Sequence, residues 1–501
     1  MYDDEPPFDP TEPDDYDLDS ARADRRRGCL FLAISVLLII TLASSSAVAL
    51  FVAMRHENRV ATTEQIGRVK SAPTAAPATV VAAVPTPLPV SEHAEASSAT
   101  QINRIAIINH EGQIETLSPT GADRRVLTLR SDRTFFQFPA WAPDGRRLAV
   151  VGNQPSGGSI YVLDDVARLG PLAERQVYFS DDQPPFYLYW SPDSSHVAFL
   201  ANHSRNLAGL NVVAGDGSGD SRLLATGSPF YWDWSHDGQQ MLIHSGRNRS
   251  DESLALIDID GQMMADNLAV PGNFQAPGIG RDGRYWAFAE QTGDGMSALV
   301  VVDTQSGERH AYEQGGSLAL GWSPARNQIA FTNGPLDGHP YWGPLRWLDV
   351  TTGEVRLLST QMVLAFFWSP DGRSIAFITL SRDANDDGIN ARKEDGIRRV
   401  SRVAAAPVQQ PGRSMLTLSV IDVETGTGLR LLDFLPTAVY LSQFLPYFDQ
   451  YALSHRIWAP DSSAIVLPVR EDDAGQILVV PVGGGRPYRL ADGDIAFWSH
   501  N

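Results

Sequence analysis

The 501-residue chain contains a single cysteine, Cys29, and only two lysines, Lys70 and Lys393. One cysteine excludes an intramolecular disulfide and any zinc site built on several thiolates. Arginine therefore carries nearly all the positive charge, and even so 40 basic residues face 59 acidic ones. The resulting formal charge of −19 argues against a nucleic-acid binder, which needs a basic surface to neutralise phosphates. The 11 histidines are scattered, with no HExxH and no close pair. No GxSxG elbow is present either, so the sequence signatures of zinc peptidases and α/β-hydrolases are both missing. Sialidase-type Asp boxes are missing as well: SHDGQQM and SPDGRSI lack the terminal aromatic.

What the chain does contain begins with an acidic leader. Residues 1–20 hold nine Asp or Glu, four prolines and no Lys or Arg. Such a composition buries too little apolar surface to offset its ordering entropy, so residues 1–27, with the basic cluster Arg22, Arg25, Arg26 and Arg27, are expected to be a disordered tail. Gly28 to Met54 then runs 27 residues without a charge. As a helix it would be about 40 Å long, enough to cross a hydrocarbon core of about 30 Å with tilt. It is longer than a usual signal-peptide core and follows a long acidic tail, which favours an uncleaved anchor. Four arginines before it and two close after it place the tail in the cytoplasm and the C-terminal bulk outside. Residues 55–100, rich in Pro, Ala and Thr, read as a stiffened linker.

From residue 101 to the end a unit recurs: an aromatic marker, a Ser/Ala-Pro-Asp-Gly-like turn, and an alternating apolar strand. It reads WAPDGRRLAV from Trp141, WSPDSSHVAF from Trp190, WSHDGQQMLI from Trp234 and IGRDGRYWAF from Ile279. It continues as WSPARNQIAF from Trp322, WSPDGRSIAF from Trp368 and WAPDSSAIVL from Trp458. Spacings of 49, 44, 45, 43, 46 and 90 residues, then 40 to Trp498, indicate a β-propeller of four-stranded blades. Residues 104–131 supply three strands with no marker strand before them, while DIAFWSHN ends on a marker strand with nothing after it. Together they predict one composite blade that closes the ring. Eight blades are favoured, with seven as the alternative. The fold class is thus all-β, a propeller over residues 101–501 behind one N-terminal transmembrane helix.

The W-S-P-D-G turn followed by I-A-F resembles the WD40-like (PD40) repeat of TolB-like propellers, over about 400 residues. The resemblance implies the propeller fold; it does not imply the role of TolB, a soluble periplasmic component. One fold hosts many functions, so function has to be argued from a site.

The doubled interval between Trp368 and Trp458 carries two insertions, 381–414 and 435–457. The first contains DANDDGINARKED from Asp383. Oxygen ligands at alternate positions, a Gly for the sharp turn and a carboxylate eleven residues after the first resemble a calcium loop. The expected ligands are Asp383, Asn385, Asp387, the Ile389 carbonyl and Glu394, with calcium in a structural role; the competing reading is a solvated acidic loop. The second insertion concentrates aromatics, including Tyr440, Phe444, Tyr447 and Phe448. These either cover the core of an oversized blade or line a binding surface, where aromatic anchors are favoured. Gly278, Gly280 and Gly283 spell GxGxxG, but they coincide with a marker turn and precede a strand, against the strand-then-helix context a dinucleotide needs. The repeated Asp residues read as turn formers, and no catalytic residue is assigned.

The leading expectation is therefore a membrane-anchored extracytoplasmic propeller that binds an unknown protein, peptide or glycan, without nucleic acid. The alternative is a hydrolase or lyase-type enzyme whose site is assembled in the central channel from several blades.

Overall fold

The computed structural model describes residues 103–500, apart from 129–132, 166–173, 205–206, 247–251, 273–275, 294, 336–340, 382–414 and 473. Both the apolar segment 28–54 and the expected calcium ligands fall outside the described residues. Among the described residues no helix is long and apolar enough to cross a membrane.

The chain is all-β and cyclic. Among the described residues it forms five four-stranded sheets, one seven-stranded sheet and one three-stranded sheet, with sequence-adjacent strands paired antiparallel. The ring closes as the sequence predicts. Strand Ile495–Trp498 pairs with Ile105–Ile108, in the register Ile105 to Trp498 and Ile108 to Ile495. The seven-stranded sheet is continuous because Glu354–Trp368 is one long strand. Its first part pairs back with Gly343–Asp349, and its last part pairs forward with Ser374–Leu380. The three-stranded sheet has reduced its innermost strand to a bridge between Trp458 and Ile465.

The repeat motif explains these elements. Each of the six marker aspartates, Asp144, Asp193, Asp237, Asp282, Asp371 and Asp461, accepts the backbone N–H two residues on, at 2.8–3.0 Å. The marker serines close the same turn: Ser191, Ser235 and Ser369 donate to the aspartate and accept an N–H from five residues on. Gly372 turns the chain at φ +66°, and the serines at the equivalent positions, Ser194 and Ser462, take the same left-handed conformation at φ +62° and +61°. After the turn, strands such as Ser374–Leu380 bury nearly every residue, as a strand covered on both faces must.

The marker tryptophans do a second job, holding neighbouring sheets together. Trp141, Trp190, Trp368 and Trp458 donate their indole N–H to Phe497, Ala140, Gly321 and Phe367, at 2.9–3.2 Å. Each acceptor is the carbonyl just before the marker of the adjoining inner strand. Trp322 also packs on the residue before the adjoining marker, Gly278, but without that hydrogen bond: a Cβ there would sit 2.5 Å from its ring. Where the marker is Ile279 and no indole exists, Asp233 takes over: its carboxylate accepts the Ile279 N–H at 2.9 Å.

The closing sheet is also locked by charge. Asp165, with a fully buried side chain, faces Arg104 at 2.8 Å and Arg125 at 3.2 Å, and accepts from Thr116. Burial outweighs these partners and raises its carboxyl above the ordinary range.

Candidate functional site at the propeller axis

The second insertion does not lie over an outer blade. After a bridge from Pro436 to Val469 it winds through one wide turn (Tyr440–Phe444), one tight turn (Leu445–Tyr447) and a short α-helix (Phe448–Ser454). This helical segment sits across the ring axis, against the inner strands. Phe444 stacks on Tyr440 and Phe367 at centroid distances of 4.9 and 5.8 Å, and meets Phe497 at 5.4 Å. Phe448 meets Phe366 at 5.0 Å and Tyr341 at 5.7 Å. Tyr451 meets Phe138 at 4.9 Å and Tyr187 at 5.1 Å.

Polar side chains of the same helix satisfy the inner edges that a ring of sheets leaves bare. Gln450 behaves as a piece of strand: its Oε1 accepts the Trp232 N–H at 3.1 Å and its Nε2 donates to the Trp232 carbonyl at 3.0 Å. Asp449 accepts the Ala276 N–H at 3.0 Å. Tyr187 donates its hydroxyl to the Gln450 carbonyl at 2.9 Å and lies 2.8 Å from Ser454 Oγ. His455 Nε2 donates to the Phe138 carbonyl at 3.1 Å, which leaves Nδ1 to accept from Ser454 at 2.6 Å.

Tyr440, Phe444 and Phe448, three of the four aromatics considered for a binding surface, are thus core residues filling the axis. The correction has a physical cause: a ring this wide leaves apolar inner-strand side chains unmatched, and the insertion supplies their partners. Tyr447 alone of the four reaches solvent, at 46% exposure. Sequence reasoning missed the polar set Asp449, Gln450, Ser454 and His455. A signal was present, since Tyr440, Phe444, Phe448, Tyr451 and His455 are spaced 4, 4, 3 and 4, the period of one helix face.

The chemistry available at the axis is limited. Ser454 and His455 form a serine–imidazole pair, but both are buried and the imidazole's other nitrogen is spent on a backbone carbonyl. No carboxylate orients that ring, as a nucleophilic triad requires. Burial pulls the His455 imidazole down to about 4, so it is neutral near pH 7. Burial pushes Asp449 up to about 6 and Asp233 to about 7; both carboxyls are sealed from solvent. Elsewhere the glycines of the GxGxxG run and the buried His244 are structural. Gly280 donates its N–H to the Tyr285 carbonyl inside a turn, and His244 lies buried 3.3 Å from Glu252. Among the described residues no group of three His, Cys, Asp or Glu is arranged to hold a metal.

No protein-family model matches the chain. In sequence it is similar to the Tol-Pal system protein TolB of Anaeromyxobacter dehalogenans strain 2CP-C, at 30% identity over 129 residues. That match spans 25% of this chain and 27% of the relative. The TolB of strain 2CP-1 matches to the same extent at 29% identity. Similar solved structures include TolB from Acinetobacter baumannii, at 13% identity, covering 73% of this chain and 80% of that one with a TM-score of 0.33. Another is the β-propeller domain of the Trilobed protease from Pyrococcus furiosus, at 11% identity, 72% and 97% coverage and a TM-score of 0.41. These likenesses are too loose to carry a function to this chain. The described residues form an all-β ring of antiparallel sheets, and over 129 residues the sequence is similar to TolB.

Proposed function

We propose that the chain is a membrane-anchored, extracytoplasmic propeller scaffold that binds a partner, with a protein favoured over a glycan, and that it does not work as a channel enzyme. The observation that carries this reading is the helical segment across the axis. Four buried aromatics and a neutral Ser–His pair stand where a channel enzyme would place its substrate, so the surface left for recognition is the outside. Propeller faces suit that use, because loops on a rigid scaffold tolerate variation. The relatives that match in sequence are named for an assembly, the Tol-Pal system, which agrees with a protein partner.

The finer architecture belongs to the same proposal. The long strand Glu354–Trp368 serves two sheets, so dividing the seven-stranded sheet there and counting Trp458 as an inner strand supports eight blades. Gly28–Met54 anchors the chain, with residues 1–27 in the cytoplasm. Asp383, Asn385, Asp387, Ile389 and Glu394 bind a structural calcium ion.

In-cell crosslinking of the tagged full-length chain, followed by affinity recovery and compared with a variant lacking residues 2–20, tests the scaffold reading. A stoichiometric partner protein is expected from the full-length chain and from the variant. Recovery of nothing above background would contradict the scaffold.

A further inference from the structure

The helical segment closes the axis from one end only. Its polar partners Phe138, Tyr187 and Trp232 stand two or three residues before their markers. The inner strands then run on to the marker turns, which form the other face of the ring. Between that level and the turns lie four polar side chains from different strands. Tyr189 and Asp233 immediately precede the markers Trp190 and Trp234. Arg456, two before Trp458, reaches toward the turns, where its Nη1 donates to the carbonyl of His500, two after Trp498, at 3.1 Å.

Arg456 is the unusual member. Among the described residues no carboxylate pairs with it, although acidic residues outnumber basic ones by 59 to 40. Burial lowers its guanidinium below the ordinary range, and among the described residues only the Tyr189 hydroxyl opposes this. The strands carrying these two side chains are separated round the ring by the closing sheet and the sheet after it, through the contacts Arg456–Trp498, Trp141–Phe497 and Trp190–Ala140. Their mutual influence therefore crosses the axis. On the far side the Tyr189 hydroxyl makes one contact, a long 3.5 Å to Asp233 Oδ1. The neighbouring Trp232 ring, 6.3 Å from that of Tyr189, has a buried indole N–H with no acceptor. Tyr189, Arg456 and His500 are each half-buried, so solvent reaches them.

An arginine drawn into the ring without a counter-charge is costly unless a ligand brings one. The missing charge is single. One cation is present, burial keeps the His500 imidazole neutral near pH 7 with Arg456 and His455 adding to the effect, and Asp233 beside Tyr189 disfavours a second negative charge. The shape is set by the guanidinium, whose planar fork matches a carboxylate in bidentate fashion. The size is limited by the helical segment behind it. We propose that the marker-turn end of the axis binds a small organic carboxylate, held by Arg456, with the Tyr189 hydroxyl donating to it from across the axis. The site goes beyond the scaffold reading and does not depend on it.

The test uses the full-length chain in detergent, with difluoroacetate as the probe and fluorine NMR line broadening as the readout. Saturable binding at about millimolar concentration or tighter is expected, with displacement by acetate and none by acetamide. Arg456→Gln should weaken binding by about tenfold or more. Arg456→Lys keeps the charge without the fork and should fall between that variant and the parent chain. Arg146→Gln, which alters an exposed arginine of a marker turn, should leave binding unchanged. Tyr189→Phe removes only a hydroxyl and should weaken binding by about threefold, which gives an independent reading if the Arg456 variants fail to fold. Absence of saturable binding, equal displacement by acetamide and acetate, or stronger displacement by inorganic phosphate than by acetate would overturn the proposal. So would an affinity indifferent to Tyr189→Phe and to a folded Arg456→Gln.

Discussion

Replacing Phe444 by Ala separates an axis filled by core residues from an aromatic surface patch. Phe444 is fully buried and touches four rings, those of Tyr440, Phe367, Tyr451 and Phe497, at 4.9–5.8 Å. Truncating a phenylalanine in such a setting costs about 3–5 kcal/mol, from lost transfer energy and the cavity left behind. The unfolding entropy of about 2.1 cal/mol/K per residue, over the roughly 400-residue propeller, converts this to a fall of about 4–6 °C in thermal midpoint. Tyr447, three residues on and 46% exposed, should cost about 0.5 kcal/mol or less on truncation to Ala, a shift of about 1 °C or less. Differential scanning calorimetry of the purified full-length chain and both variants reads the contrast. Equal, small shifts would refute the reasoning, because they would mean that the segment does not sit in the core.

Three further outcomes are expected. Asp165→Ala removes one side of a buried ion pair and should destabilise the chain by about 3–5 kcal/mol, with little relief from added salt; a loss under about 1 kcal/mol would show that the ring does not close through Arg104. Asp449 has a folded value near 6 against 3.8 unfolded, so the folded state holds the extra proton between those limits and its contribution to stability fades as pH rises through them. The stability of Asp449→Asn relative to the parent chain, measured by denaturant titration, should therefore increase by about 2 kcal/mol from pH 4 to pH 7; a pH-independent difference would contradict a buried, ionising Asp449. His455, pulled down to about 4 from 6.5, has the opposite slope over nearly the same window, so only the difference between variant and parent isolates the carboxyl. Isothermal titration should show calcium binding at millimolar concentration or tighter, lost in Asp383→Ala with Asp387→Ala; a flat titration of the parent chain removes the calcium proposal.

The fold was legible in the sequence because its signals are local and repeated. Asp371 and Ser369 build their turn from residues within five positions, and Ile375 to Ile378 need only form a short apolar run after it. Ring closure was legible too, since DIAFW reads as a marker strand and Ile105–Ile108 as a later strand without its own marker, and the two pair. What stayed hidden depends on distant partners. Nothing near Phe444 in the chain announces Phe497, and nothing near Gln450 announces the bare edge of Trp232. The 4, 4, 3, 4 spacing from Tyr440 to His455 identifies a helix face, yet a helix face says only that something will cover it. That the cover is the ring's own inner strands is a property of the closed propeller. The same limit applies to Asp233, which as a sequence letter is one more acid beside a marker and in the fold substitutes for a missing indole.

The central claim, that the ring axis is occupied by the chain itself, is tested most directly by hydrogen–deuterium exchange of the full-length protein over residues 440–455. The account predicts slow exchange throughout Tyr440–His455, on the scale of the core strand Ser374–Leu380, since opening the segment means breaking the aromatic core. Exchange there as fast as in the exposed turn 216–220 would contradict it, leaving the axis open and favouring the alternative of a channel enzyme.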